Sequence, residues 1–296
     1  MSTLRVALEW FLNPDHVPLL LGIQNGWFKE VGLTVELIEP KEHFDAFKGM
    51  QEGTVDIAIT EPIHLLQDLA KGETMLGFAR FLHTNGGVMY LKDRGIERPR
   101  DMVGKRVQYP GAPGPGGPAI VNTMIAADGG TPGDLTRVNN GFFHTDALAE
   151  DKADVATLAF YNFEVVEARH RGLNADFFAL KDWGVPDFCQ LIFIGLPQVI
   201  AERQADLRNF LRVMHRGIDL IKEDPEAARI AYAKATETDA DEPLGRAIFD
   251  ATIPCFTHDF TLSQDYYAKL ANWLHETDQV PAGLDWQGAW SNALAR

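Results

Sequence analysis

Four short stretches of the chain concentrate polar, chemically able side chains beside aromatic rings. The first, ALEWFLNPDHVPLL, holds Trp10, Asn13 and His16, and the second holds Thr60, Glu61 and His64. The third is the glycine-rich QYPGAPGPGG, with Tyr109, Gly111 and Gly114, and the fourth is FYNFE, with Tyr161, Asn162 and Glu164. Aromatic faces stack flat rings. A carboxylate accepts paired hydrogen bonds from an amine and an adjacent protonated ring nitrogen, and loop N–H groups take an anionic or carbonyl group. The set therefore suits a flat nitrogen heterocycle. Each member also has an ordinary reading: Trp10 as core, His16 as a solvated helix start, Glu61 and Glu164 as first-turn carboxylates that complement a helix dipole. Their shared position at strand ends weighs against taking all of them as ordinary.

Nucleophilic and metal chemistry find little support. GxSxG, HExxH and CxxC are absent, and the glycine-rich loop is neither a Walker A loop nor GxGxxG. The nine His are scattered without metal-ligand spacing, so neither a metal site nor a cofactor is expected. Cys189 stands inside an apolar strand, as a buried inert thiol does. With 27 basic against 42 acidic residues the formal charge is −15, which disfavours nucleic acid and anionic lipid as partners.

The elements that position these corners follow from the alternation of short apolar strands with helical segments. LRVALEW, LTVELIE and VDIAIT read as strands, separated by a helix that Asp15 caps and by HFDAFKGMQEG; PIHLLQDLAKG follows as a helix. The same grammar restarts after VMYLKD with QYPGAPGPGG between a strand and a helix, then TRVNN, TDALAEDKA, DVATLAF and YNFEVVEARHRG. GTVDIAITEPIHLLQDLAKG and KADVATLAFYNFEVVEARHRG echo each other. After the strand FCQLIFIG the remainder reads as helices, beginning with PQVIAERQADLRNFLRVMHRGIDLIKED. This is an α/β chain with mainly parallel sheets, in two lobes joined by extended crossings near 84–92 and 188–196. Lobe 1 comprises 1–87 and 193–296 with the helical C-terminal third, and lobe 2 comprises 88–192. Ligands of such sheets bind at the carboxyl ends of the strands, which places the expected site between the lobes.

The residues also carry a family resemblance. LEWFLNPDHVPLLLGIQNGWFKEVGLTVEL resembles the opening of the family that contains the bacterial formylaminopyrimidine-binding proteins of thiamine-precursor transporters and the fungal thiamine-pyrimidine synthases. GTVDIAITEP, FYNFE and GVPDFCQLIFI extend the likeness over residues 4 to about 225. It implies a periplasmic-binding-protein fold of the second type, with Trp10, Asn13 and His16 against the ring, and Glu61 and the Tyr109–Gly117 loop lining the cleft. It implies further that Glu164 pairs with the aminopyrimidine edge, and that Asp187 and Gln190 sit at the second crossing. The sequence departs from the fungal pattern at Thr60, where those enzymes carry the lysine that holds pyridoxal phosphate four residues before a histidine, here His64. Phe163 and Gln190 replace a tryptophan and a glutamate, and the fungal cysteine cluster is missing.

The expectation is a solute-binding protein, not an enzyme, that captures a thiamine pyrimidine precursor or a related ring and hands it to the permease subunits of an ABC importer. The alternative is a cytoplasmic enzyme of the same fold in thiamine-pyrimidine or related cofactor metabolism. MSTLRVALEW has no export-signal pattern, so the location follows from the start: cytoplasmic if Met1 is native, extracytoplasmic if a signal was trimmed. The run Val17–Ile23 is too short to insert into a bilayer.

Overall fold

The computed structural model describes residues 1–40, 46–109 and 116–295, so Gly111 and Gly114 lie outside the described residues. The chain divides into two compact units, Met1–His83 with Gln190–Ala271 and Val280–Arg296, and Thr84–Cys189 with Asn272–Gln279. The first unit opens with β1 (Ser2–Ala7), α1 (Val17–Gln24), α2 (Trp27–Glu30), β2 (Leu33–Ile38), α3 (Ala46–Gln51), β3 (Ile57–Thr60), α4 (Pro62–Ala70) and β4 (Leu76–His83). The second contains β5 (Gly86–Leu91), β6 (Arg106–Gln108), α5 (Gly116–Ala127), β7 (Thr136–Val138), α6 (His144–Ala149), β8 (Val155–Phe160), α7 (Val166–His170) and β9 (Ala175–Ala179). The chain then returns through β10 (Gln190–Gly195) to α8 (Pro197–Glu202), α9 (Gln204–Glu223), α10 (Pro225–Thr236), α11 (Pro243–Thr252) and α12 (Gln264–Glu276).

Both units carry a five-stranded sheet of the same pattern, β2-β1-β3-β10-β4 in the first and β7-β6-β8-β5-β9 in the second. In each, three strands run parallel and the fourth is antiparallel to both its neighbours. That fourth strand is supplied by the crossing from the other unit: β5 follows β4, and β10 follows β9. Every residue of β5, β8 and β10 is buried, which is why these strands read as unbroken apolar runs rather than alternating ones.

The internal echo has a structural signature. Arg5 of β1 donates its backbone N–H, Nε and Nη2 to Asp56, at 2.7, 3.0 and 2.9 Å. Arg106 of β6 makes the same three bonds to Asp154, at 2.7, 3.1 and 2.7 Å. Each aspartate stands at the entry to the third strand of its sheet, so one clasp registers the second and third strands in both units.

The observed boundaries differ from those read in the sequence. The units meet at 83/84 and 189/190 rather than 87/88 and 192/193, because β10 joins the first sheet from Gln190 onward while Thr84 donates its N–H to Cys189 at 3.0 Å within the second unit. Residues 272–279 belong to the second unit, where Trp273 Nε1 donates to Thr123 at 3.0 Å. The expected single helix over 197–224 is interrupted at Arg203, between α8 and α9. No helix among the described residues is long and apolar enough to cross a membrane.

Candidate functional site

In the first unit β1 and β3 are parallel neighbours, Ala7 opposite Ala58, so the corners that follow them are adjacent. The chain leaves β1 at Ala7 and folds into a single 3-10 turn, Pro14–His16. Asn13 caps this turn: its Oδ1 accepts the Asp15 N–H at 2.8 Å, and its Nδ2 donates to the Phe11 carbonyl at 2.9 Å. The cap is therefore Asn13 and not Asp15, and the Asn13 amide, 1 % exposed, shapes the corner from within. Extended φ/ψ at Asn13 lets its side chain reach forward over the turn, as an N-cap must. Trp10 and Phe11 form a tilted aromatic pair with centroids 4.2 Å apart.

His16 is completely buried. Its Nδ1 accepts the Asn13 backbone N–H at 3.2 Å, which leaves Nε2 carrying the proton of the neutral ring. Nε2 faces both oxygens of Glu9, at 3.1 and 3.2 Å. Burial opposes a charge on His16, but the charge of Glu9 and its hydrogen bond outweigh burial and raise the imidazole above its usual range. Glu9 was not among the residues singled out from the sequence. Reading LRVALEW as one strand made it a strand residue, whereas the strand ends two positions earlier.

Glu61 stands between β3 and α4 and is buried, 8 % exposed. Burial first, and the charge of Glu9 second, push its carboxyl up to about 8, so at neutral pH it is an acid that can donate as well as accept. His64, one turn on, brings Nδ1 to 3.3 Å from Glu61 Oε2. Thr60 ends β3 opposite Ile192 of β10. Gln190, also buried, begins β10 opposite His83, and Asp187 lies three residues earlier, in the second unit.

The second unit repeats the arrangement after β6 and β8, parallel neighbours in turn. Tyr109 follows β6 with its ring against Gly116, where an added Cβ would stand 2.8 Å from the hydroxyl; the glycine is needed for that approach. Behind it, Gln108 holds the 140–141 loop, accepting from Asn140 N–H and donating to the Gly141 carbonyl, each at 2.8 Å. After β8 the chain makes a π-helical turn, Tyr161–Val165, before α7. Glu164 turns back to accept the Phe160 N–H at 2.8 Å, and Asn162 accepts from Thr84 Oγ1 at 2.6 Å. Both are buried. His144 Nε2 lies 3.9 Å from Glu164, and burial pushes His144 down to about 4. Tyr161 is instead exposed, edge-on to Phe177 and hydrogen-bonded by Arg169.

The four corners named from the sequence thus fall into two sets, Trp10, Asn13, His16, Thr60, Glu61 and His64 in one unit and Tyr109, Tyr161, Asn162 and Glu164 in the other. Glu9, Thr84 and His144 join them. Among the described residues no group of three or more His, Cys, Asp or Glu side chains could hold a metal ion. Pyridoxal phosphate, which the fungal pattern ties to a lysine, does not fit here: Thr60 occupies that position, and a hydroxyl cannot form an imine.

A family model described as NMT1/THI5 like matches residues 13–228. A 4-amino-5-hydroxymethyl-2-methylpyrimidine phosphate synthase of Legionella pneumophila is 30% identical over 260 residues, covering 86% of this chain and 80% of that protein. A formylaminopyrimidine-binding protein of Halalkalibacterium halodurans is 27% identical over 229 residues, covering 77% and 69%. Among solved structures, the alkanesulfonate-binding protein SsuA of Xanthomonas axonopodis pv. citri superposes with a TM-score of 0.76 at 14% identity, covering 98% of both chains. The α/β architecture is thus that of the periplasmic binding proteins.

Proposed function

Because the chain belongs to the NMT1/THI5-like family, we propose that it is a binding protein for an aminopyrimidine of the thiamine-precursor class and delivers that ring to the permease of an ABC importer. The observation that carries this reading is Glu61. A buried carboxyl at a strand's carboxyl end, with an aromatic pair on the neighbouring corner, matches a ring nitrogen next to an exocyclic amine: one oxygen accepts from the amine while the other shares a proton with the ring. Trp10 and Phe11 supply a stacking face, and His64 steadies the carboxyl from α4. Asn13 and Glu164 act as organisers of their corners. The relative named as a formylaminopyrimidine-binding protein supports the ligand class, and on this reading the protein works outside the cytoplasmic membrane.

Calorimetry with formylaminopyrimidine and with 4-amino-5-hydroxymethyl-2-methylpyrimidine tests the proposal, with flavin and pyridoxal compounds for comparison. Saturable binding of an aminopyrimidine is expected, weakened in Glu61→Leu, which removes both the donor and the acceptor, by about 1–3 kcal/mol, the cost of leaving the polar edge of the ring unpaired. Failure of every ring to bind would sink it.

The second reading is a synthase, favoured by the 30% identical relative of that name. Thr60 stands against the lysine-dependent form of that chemistry. Production of 4-amino-5-hydroxymethyl-2-methylpyrimidine phosphate by the purified protein would establish it.

A further inference from the structure

Among the described residues only two Phe, Tyr or Trp side chains are exposed, Phe143 and Tyr161, and both belong to the second unit. Tyr161 is engaged, edge-on to Phe177 and hydrogen-bonded by Arg169. Phe143, 61 % exposed, has no ring stacked on it among the described residues. A single apolar side chain at the surface is ordinary. This one differs in where it stands and in how firmly its backbone is held.

Val138, the last residue of β7, pairs with Gln108, the last of β6. From there the chain crosses the carboxyl end of β6, where the fully buried Gln108 amide binds both Asn140 and Gly141. It then enters α6, whose Ala147 and Leu148 pack in one apolar cluster with Ala156 and Ala159 of β8. Phe143 thus stands at the carboxyl ends of β6 and β8, the edge at which parallel α/β sheets take their ligands. The next residue, His144, brings Nε2 to 3.9 Å from Glu164 in the corner after β8.

The corner is fixed on both sides of the ring. The Phe143 N–H donates to the Asn140 carbonyl at 3.3 Å, and the Phe143 carbonyl accepts from Asn140 Nδ2 and from the Ala147 N–H, each at 3.0 Å. Gly141, at φ +57°, makes the reversal and donates its N–H to Asn139 Oδ1 at 3.0 Å. A corner held in this way keeps an apolar ring in water, at a cost in hydration that covering the ring removes. One ring is far short of the roughly 800 Å² a side that a stable protein interface needs. The side chains of the adjoining corner, His144, Asn162 and Glu164, are buried and polar, so the cover that fits is a small flat heterocycle.

We propose that Phe143 is a ligand-contact residue of the second unit, a stacking face for a flat heteroaromatic ring, and that Gln108 is the positioning residue that holds it there. The inference goes beyond the part given to Glu61 and takes from the aminopyrimidine reading only its probe. Offset or edge contact with the Phe143 π face stabilises a bound ring beyond area burial alone. It accepts any flat ring, and the choice among rings falls to the polar groups.

The dissociation constant of 4-amino-5-hydroxymethyl-2-methylpyrimidine, with thermal unfolding alongside, is measured for wild type, Phe143→Ala, Phe143→Trp and Glu61→Leu. Loss of the Phe143 ring is expected to weaken binding about 5- to 100-fold, the scale of stacking on an aromatic side chain. The unfolding midpoint stays where it was, because the ring is mostly in water, and Phe143→Trp keeps the affinity. Gln108→Leu, which keeps the volume and removes both hydrogen bonds, weakens binding in the wild-type background and has no further effect on affinity in Phe143→Ala; an equal loss in both backgrounds overturns the positioning role. Wild-type affinity in Phe143→Ala overturns the inference, and if Glu61→Leu is weakened in the same series the aminopyrimidine reading stands without it. If no aminopyrimidine binds, that reading fails and riboflavin and pyridoxal serve as probes. A ring that loses affinity in Phe143→Ala then sustains the inference; equal binding by both proteins, or no ring bound at all, overturns it.

Discussion

Buried at the end of β3, the Glu61 carboxyl keeps its proton until about pH 8, and this preference weakens the folded state. An unfolded glutamate ionises near 4.5, so the stability tied to the protonated group is fully present below that pH. It is lost as pH rises through about 8. At that pH the folded protein therefore carries a penalty on the order of 4 kcal/mol, and the isosteric, uncharged Glu61→Gln is expected to gain about 2–4 kcal/mol in urea unfolding at pH 8. Glu61→Leu, likewise uncharged but without the donor and acceptor, loses ligand affinity as well. A site that trades stability for chemistry is the usual sign of function, whereas a merely structural Glu61 predicts that stability and affinity change in the same direction. His16 bears the opposite relation to its surroundings. Its raised imidazole adds stability at acid pH that disappears as pH rises through its folded-state midpoint.

Elements hold these side chains through close helix contacts as much as through strands. α1, which follows the His16 turn, crosses α9 where glycines let the backbones approach. An added Cβ at Gly217 would stand 2.9 Å from the Pro18 Cα and carbonyl, and one at Gly22 would stand 2.7 Å from Val213. Backbone atoms cannot move aside as a side-chain tip can, so Gly217→Ala is expected to cost about 1–3 kcal/mol by overpacking. It should also displace the start of α1, two residues from His16, and so weaken ligand binding more than thermal stability alone explains; unchanged affinity in a folded Gly217→Ala would separate the crossing from the site. Neither glycine announces this in the sequence, where both sit inside helical patterns. What the sequence did carry was the βα grammar, the two crossings and the corners, because each rests on local periodicity and turn chemistry. β4 and β9 escaped notice, since LGFARFLH and ADFFA flank the crossings and pair only antiparallel. Glu9 and His144 escaped for another reason: each gains its role from a partner the fold turns toward it, Glu9 meeting His16 seven positions on and His144 facing Glu164 twenty positions on, and neither bears a motif. The cap at Asn13 lay two residues earlier than Asp15 suggested, an ambiguity of two good capping residues in NPDH.

At the scale of the whole molecule, the two units repeat one strand order and one Arg–Asp clasp yet bury titratable groups of opposite kind. The first buries an acid whose midpoint is raised, Glu61, and the second buries a base whose midpoint is lowered, His144. For His144 the sign is reversed: an unfolded histidine takes up its proton near 6.5, the buried one only near 4, because burial penalises the cation. Stability tied to the neutral ring is present above 6.5 and is lost as pH falls through about 4, a span on the order of 3 kcal/mol. The net charge of −15 adds a general repulsion that grows with pH and is screened by salt, so with His16 the bare pH profile mixes four causes. Differences between variants separate them, because the general charge term is nearly common to all. Relative to wild type, His144→Gln is expected to be neutral or slightly destabilised at pH 7 and to gain ground steadily as pH falls below 6.5, while Glu61→Gln gains ground as pH rises above 4.5. Denaturant unfolding at several pH values, in constant salt, gives both difference curves. Opposite slopes place one pH-sensitive buried group in each unit; parallel slopes would mean that overall charge, and not these two side chains, governs how the molecule responds to pH.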